Sequence, residues 1–117
     1  MKSEKAFFEE LARTYDHWLG TAVEALGDPH ADKTGFEDGA AFSAIAVAIS
    51  AADLKDQLRL GLAEVLRGLL HSALVTLDNG TALAESVRLS ICDQDGNELG
   101  PGLHEGFLLH LAATNRL

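Results

Sequence analysis

Five histidines are the residues of this chain whose chemistry would best suit metal binding or acid–base catalysis. His104 and His110 are six positions apart, which predicts opposite sides of a helix, so the zinc-protease pattern of two histidines four apart is absent. His30 lies between Asp28 and Asp32, but nothing in the local sequence fixes a ligand geometry. We therefore predict no resident metal or cofactor, with these three histidines as weak metal candidates.

Cys92 and the acidic segment that follows it are a second candidate. Cys92 is the only cysteine, which excludes an intrachain disulfide, and acidic neighbours do not give the electropositive setting of a catalytic thiolate. The segment 93–98 (DQDGNE) begins like a calcium-binding loop, but the twelfth position holds His104 instead of the bidentate glutamate. The sequence favours a polar hairpin turn at Asp95-Gly96.

Acidic residues dominate the charge and suggest the kind of partner. The net charge is −9, from 18 acidic and 9 basic residues, which opposes binding to nucleic acid or to anionic lipid and suits a basic protein. The longest polar stretch, 28–39, reads as a loop. We predict that partner-binding carboxylates lie in this loop, at Asp28, Asp32, Glu37 and Asp38.

The first half of the chain predicts helices around that loop. Apolar residues recur every three or four positions from Phe7 to Leu26, with Ser3 as the expected N-cap, and the aromatic residues of this helix are expected to anchor the core. Residues 40–50 alternate like a strand at Ile45 and Val47, but their alanines favour a helix.

The second half predicts a long helix, a hairpin and a last helix. A leucine-rich helix is expected to begin after Ser50 as N-cap and to end near Asp78, although 73–77 could also form a short strand. Residues 86–92 alternate like a half-buried strand, and 97–99 could return beside it. A last helix is expected to begin at Leu103.

Together these elements predict a single α+β domain over residues 1–117. It is mainly helical, with three or four helices packed around the leucine-rich central helix and a small β-hairpin before the C-terminal helix. One cysteine, no signal-peptide core and no unbroken run of about 18 apolar residues predict a cytoplasmic protein without a membrane span.

Short turn-like motifs in the last third of the chain resemble those of small acidic bacterial proteins of unknown function. The matching residues are Leu77-Asp78-Asn79-Gly80-Thr81, Asp93-Gln94-Asp95-Gly96, Gly102-Leu103-His104-Glu105 and Phe107. Some of those proteins are similar in size and acidity to toxin-immunity proteins. The resemblance implies a protein-binding role and supplies no catalytic residues.

The leading prediction is therefore a non-enzymatic, protein-binding function, in its sharpest form immunity-like inhibition of a basic partner. One alternative is a small metal-dependent enzyme that uses His30, His104 or His110. The other is a structural homodimer whose interface is the leucine face of the long helix, with Leu62 and Leu69 as the residues to test.

Overall fold

The computed structural model describes residues 2–117 and confirms a mainly helical α+β fold, with 66% of the chain in helices. Four α-helices, one 3₁₀ turn and one hairpin follow each other along the chain. Their bounds are α1 Lys2–Gly27, α2 Gly39–Ala51, α3 Lys55–Leu77, the 3₁₀ turn Ala82–Glu85, β1 Ile91–Cys92, β2 Glu98–Leu99 and α4 Leu103–Ala113.

Helix α2 resolves the ambiguity of residues 40–50 in favour of a helix. The side chain of Asp38 caps its first turn by accepting from the backbone N–H of Ala41 at 3.1 Å. Residues 73–77 are also helical, at the end of α3. The two serine caps predicted from sequence are wrong, because Ser3 lies inside α1 and Ser50 lies inside α2.

The hairpin is shorter than the alternation of residues 86–92 predicts. β1 pairs antiparallel with β2, with Ile91 opposite Leu99, and Gly96 supplies the positive φ of +80° that the turn requires. Upstream of β1, the Asn79 side chain accepts from the Leu89 N–H at 2.7 Å and donates to its carbonyl at 3.0 Å. Both backbone groups of Leu89 are thereby taken, which ends the ladder at Ile91.

The chain divides into two compact units. Unit 1 comprises residues 1–14 and 67–117, and unit 2 comprises residues 15–66. The core of unit 1 combines one face of α1 with residues of α3, β2 and α4, and it has the large side chains of an ordinary protein interior. Its buried members are Phe8, Ala12, Leu74, Leu99, Leu103, Phe107 and Leu111.

Unit 2 has a different interior, made mainly of small side chains. Its buried apolar residues are Tyr15, Val23, Ala25, Ala46 and Ala63. Six of the larger apolar side chains of this unit are exposed, among them Trp18, which the sequence places among the aromatic anchors of the core, and eight others are half-buried. An ion pair of 3.0 Å between Lys55 and Glu24 links the start of α3 to α1 within this unit.

The stretch Lys55–Glu85, which contains α3 and the 3₁₀ turn, is long and apolar enough to cross a membrane by length and composition. Its most apolar 18-residue window has a mean hydropathy of 1.4 and is 11% buried. The sequence analysis expected no span because it considered only unbroken apolar runs. Glu64 and Arg67 interrupt this stretch but lower its mean hydropathy only a little. One such helix is weak support for a span, because helices of soluble proteins pass the same test.

Gly106→Ala tests the packing of unit 1, and Gly20→Ala in unit 2 is its control. A Cβ added at Gly106 would lie 2.9 Å from the ring of Phe8, so we expect Gly106→Ala to destabilise the protein by about 1–3 kcal/mol. At Gly20, inside α1, an added Cβ meets nothing within 4 Å, so Gly20→Ala should instead stabilise by about 1 kcal/mol. Urea unfolding followed by circular dichroism measures both, and equal effects of the two substitutions would contradict the packing.

Candidate functional site

The acidic loop predicted to bind a partner uses three of its four carboxylates to organise itself. Asp28 accepts from the His30 N–H at 2.9 Å, Asp32 accepts from the Thr34 N–H at 2.9 Å, and Asp38 caps α2. The hydrogen bonds from Thr34 lower the pKa of Asp32. Glu37 is exposed. These contacts shape the loop and leave its negative charge on the surface, so partner binding there stays a prediction.

The three histidines named as weak metal candidates are not brought together. His30 is exposed in the loop of unit 2, whereas His104 and His110 both lie on α4 in unit 1. The ring of His110 lies 6.2 Å from that of Phe8, while His104 faces Asp78. Within residues 2–117, no group of three or more His, Cys, Asp or Glu side chains is placed to hold a metal ion.

Asp78 is the centre of a polar cluster in unit 1. Helix α4 begins after Gly102, which has no side chain to cap it, and Asp78 supplies the missing acceptor from the residue after the end of α3. Its carboxylate accepts from the Leu103 N–H at 3.0 Å, from the His104 N–H at 2.9 Å and from the His104 ring Nδ1 at 2.5 Å. Its side chain is only 5% exposed.

The protonation of Asp78 is governed by these contacts. Burial alone would raise its pKa, but the hydrogen bonds from the backbone and ring of His104 and from the Leu103 N–H outweigh burial. The pKa of Asp78 therefore lies below its ordinary value. Since the carboxylate is held ionised at the N-terminus of α4, it also interacts favourably with the helix dipole.

The ring of His104 is oriented on both sides. His71 on α3 meets it edge-on, with 5.4 Å between ring centroids, and the Glu105 carboxylate lies 3.7 Å from its Nε2. A carboxylate on Nδ1 is the arrangement that orients a general base, but catalysis also needs a placed nucleophile or substrate. The contacts of this cluster are those of a helix cap, and we assign it a structural role.

A second carboxylate, Asp93, organises the hairpin turn and joins it to α1. It accepts from the backbone N–H groups of Asp95 and Asn97, both at 2.9 Å, and from the Ser3 hydroxyl at 2.6 Å. The Ser3 contact is the largest cause of a pKa of about 2. The predicted hairpin turn is confirmed by these contacts, and the first carboxylate of the calcium-like segment, Asp93, serves as its internal acceptor.

A groove of about 800 Å³ lies between the start of α1 and the hairpin, within unit 1. Phe7, Ile91 and Leu99 form its apolar wall, while Lys2 and Asp93 contribute charges of opposite sign. Cys92 is exposed and borders the same groove. The sequence predicts the thiol to be inert, and the described contacts place only the Ser90 hydroxyl, at 3.8 Å, near its sulfur.

Helix α3 exposes three large apolar side chains. Leu60 is 72% exposed, Val65 is 67% exposed and Leu69 is 67% exposed, although each occupies the interior of a long helix. Of the two leucines that the sequence analysis names as interface probes, Leu69 is thus exposed and Leu62 is half-buried. Helix α2 adds Ile45 and Val47, both exposed, to the apolar surface of unit 2.

Comparisons with known proteins found no protein-family model, no curated protein and no solved structure that matches the chain. The resemblance of the C-terminal motifs to small acidic bacterial proteins gains no support from them. What unites several of those motif residues is physical, because Asp78, Leu103 and His104 meet in the cap of α4.

Replacing Asp78 by asparagine tests the cap. An asparagine keeps one acceptor but loses the charge, so we expect Asp78→Asn to lower the free energy of unfolding by about 1–3 kcal/mol at pH 7. Because the folded pKa is lowered, this contribution is complete above the unfolded value near 4 and is lost as the pH falls through the folded value. Urea unfolding between pH 2 and pH 7 measures the difference between the two proteins.

The exposed carboxylate of Glu85 provides the control, since Glu85→Gln removes a charge without removing a cap. A wild-type-to-Asp78→Asn difference that stays constant down to pH 2 would contradict the role of the ionised Asp78.

Replacing Ser3 by alanine tests the link between α1 and the hairpin. The pKa of Asp93 should rise from about 2 toward the ordinary 3.8, and only part of the way, because Asn97 and Asp95 still donate to it. The stability that Asp93 contributes is present above pH 4 and is lost as the pH falls toward 2. Titration of the carboxyl carbon by NMR measures this pKa directly.

Ser90→Ala is the matched control, because the Ser90 hydroxyl contacts Cys92 and not Asp93. An Asp93 pKa that stays near 2 in the Ser3→Ala protein would show that the hydroxyl does not stabilise the carboxylate.

Proposed function

We propose that this is a non-enzymatic interaction protein that binds another protein through the exposed apolar side chains of unit 2. The observation that carries the proposal is the set of large apolar side chains that this unit exposes, namely Trp18, Ile45, Val47, Leu54, Leu60 and Val65. Alanines at 25, 46 and 63 are buried, while Leu60 and Val65 are exposed. Single exposed leucines are normal, whereas a set of exposed large apolar side chains is typical of an interaction surface.

The energetic argument points the same way. Burying a Leu, Ile or Val side chain contributes about 1.5–3 kcal/mol, and the exposed members of unit 2 forgo much of this in the isolated chain. A partner that covers them recovers it, and such apolar surfaces with few charges are typical of the centres of protein interfaces. Helix α2 has no charged residue at all, which supports this assignment.

A cytoplasmic location is part of the proposal. The single cysteine is exposed and free, which suits a reducing compartment, and a bacterial source remains a prediction from the C-terminal motifs.

The acidic loop supports a second, narrower proposal, namely that a basic protein binds at Asp28, Asp32, Glu37 and Asp38. The charge of this loop stays on the surface, and electrostatic attraction would accelerate association. Immunity-like inhibition is one form of this proposal. The metal-dependent enzyme remains an untested alternative.

Site-specific photocrosslinking in the host cell tests the leading proposal. A benzoylphenylalanine at position 60 or 65 should form crosslinks to protein at least about five times more often than one at position 109, because a covering partner lies within reach of a buried interface residue. Leu109 on α4 is a matched control, since it is 71% exposed and belongs to unit 1.

Equal crosslinking from positions 60, 65 and 109 would contradict the proposal. Strong crosslinking from position 32 or 37 alone would contradict the leading proposal and support partner binding at the acidic loop.

A further inference from the structure

We propose that Asn79 is a deamidation site that the fold keeps closed. Its conversion to aspartate or isoaspartate would record each opening of the segment 79–89 and prevent that segment from regaining its native contacts. Asparagine deamidates most readily when glycine follows it, because glycine has no Cβ to hinder the reaction. Asn79-Gly80 is the one Asn-Gly pair in the chain. The inference is independent of the proposed function, since it concerns the connection between α3 and the hairpin.

The reaction joins the backbone nitrogen of Gly80 to the side chain of Asn79. The nitrogen loses its proton to solvent and attacks the side-chain amide carbon, so that a new C–N bond closes a five-membered imide. The bond to the side-chain nitrogen breaks, and that nitrogen takes up a proton and leaves as ammonia. Water then opens the imide at either of its two C–N bonds. One product is aspartate, and the other is isoaspartate, in which the main chain runs through the side-chain carbon.

The end of α3 requires this pair of residues. The Asn79 N–H donates to the Thr76 carbonyl at 3.1 Å, and the Gly80 N–H donates to the Val75 carbonyl at 2.8 Å. These two contacts form a Schellman motif, whose left-handed position Asn79 occupies with a φ of +62°. Asparagine is one of the few residues besides glycine that adopt this conformation. A Cβ at Gly80 would lie 2.8 Å from Val75 Cγ1, so a larger residue there would displace the end of the helix.

Both reacting groups are engaged in the folded chain. The Gly80 N–H, which must lose its proton, is held by the Val75 carbonyl. The side-chain amide of Asn79, which must be free to approach the Gly80 nitrogen, is held by both backbone groups of Leu89. Its oxygen accepts from the Leu89 N–H at 2.7 Å, and its nitrogen donates to the Leu89 carbonyl at 3.0 Å. Deamidation therefore requires a local opening that breaks these contacts.

Neither product restores the native contacts. An aspartate at position 79 still accepts from the Leu89 N–H, but its carboxylate has no hydrogen to donate and would leave the Leu89 carbonyl without its partner. It also adds a negative charge next in sequence to Asp78, which the cap of α4 holds ionised. Isoaspartate lengthens the main chain by one carbon before Gly80, so the Schellman motif cannot keep its geometry.

The loss of ammonia to solution makes the record permanent. Each folded chain can close again after an opening that does not react, whereas a chain that reacts keeps the altered residue. The modified fraction therefore grows with the time that the segment 79–89 spends open. Asn79 thus acts as an irreversible marker of this opening, placed where the turn itself demands the reactive pair.

Peptide mapping by mass spectrometry tests the inference on the full chain, incubated folded and in guanidinium chloride. Replacing –NH₂ by –OH raises the mass, and chromatography separates aspartate from isoaspartate. In the denaturant, Asn79 should deamidate faster than Asn97 or Asn115, since neither is followed by glycine. In the folded chain its rate should fall by about a hundredfold or more, because the reaction waits for local opening.

Asn115 is the matched control within the same sample. It also has a positive φ, of +58°, just after a helix, but its side chain is exposed in the folded chain. Its rate should therefore change less between the two conditions. Equal rates at Asn79 in the folded and unfolded chain would overturn the inference, because the fold would not close the site. A rate at Asn79 no higher than at Asn115 in the denaturant would overturn it as well.

Two substitutions of Leu89 test the contact that holds the amide. Leu89→Pro removes the N–H that donates to the Asn79 side chain, whereas Leu89→Ala keeps it. In the folded state the proline variant should deamidate at Asn79 at least about tenfold faster than the alanine variant. Equal rates in two folded variants would overturn the role of Leu89. Circular dichroism establishes folding, and if the proline variant is unfolded, the wild-type comparison decides by itself.

Asn79→Asp tests the effect of the product on the fold. Urea unfolding at pH 7 should show a folding equilibrium constant lower than that of wild type by about tenfold or more, because the Leu89 carbonyl loses its donor. Asn115→Asp adds the same charge at the other left-handed asparagine and should lower the constant less. An Asn79→Asp protein as stable as wild type would overturn the inference that the modified segment cannot regain its native contacts.

Discussion

The carboxylate of Asp78 is the contact on which the organisation of unit 1 depends. It lies just after α3 and satisfies the first N–H groups of α4, a helix that begins after a glycine without a capping side chain. The core of unit 1 requires α3 and α4 to be held together, because Leu74 and Phe107 belong to the same buried cluster. One ionised group thereby connects the end of α3 to the start of α4. The hydrogen bonds that make this connection also lower the pKa of Asp78.

The two units differ in the side chains that form their interiors. Unit 1 holds the large buried side chains and the buried or half-buried carboxylate contacts, as a self-sufficient domain does. Unit 2 fully buries only Tyr15 and Val23 among its larger apolar side chains, and the rest of its buried apolar residues are alanines. The core of unit 1 stabilises the chain by itself, whereas the exposed side chains of unit 2 would add stability only if a partner covered them. This contrast in buried interiors is one basis on which we propose that interaction occurs through unit 2.

Much of the fold is readable from the sequence, because helices follow from periodicity and from the alanine content of residues 40–50. The errors of the sequence analysis concern helix caps and the side of a helix that other helices cover. Ser3 and Ser50 have the right chemistry for N-caps, but Ser3 donates to Asp93 and Ser50 continues α2. The leucine pattern of α3 identifies a helix and cannot tell which leucines other helices cover. Asp78 escapes detection because its partners are 25 and 26 residues away, although the uncapped Gly102-Leu103 start of α4 signals a distant acceptor.

The connection between α3 and α4 has a further consequence for how this chain can vary. Asn79 fixes Leu89, and Asp78 fixes the start of α4, so both ends of the intervening segment are anchored independently of its course. Most of residues 81–88 are exposed and include only one short 3₁₀ turn. Insertions or deletions there would change the length of an exposed segment without moving the Asn79–Leu89 or Asp78–Leu103 contact. This stretch is therefore where the length of the chain is least constrained, and where another domain could be accommodated with the smallest disturbance of the core.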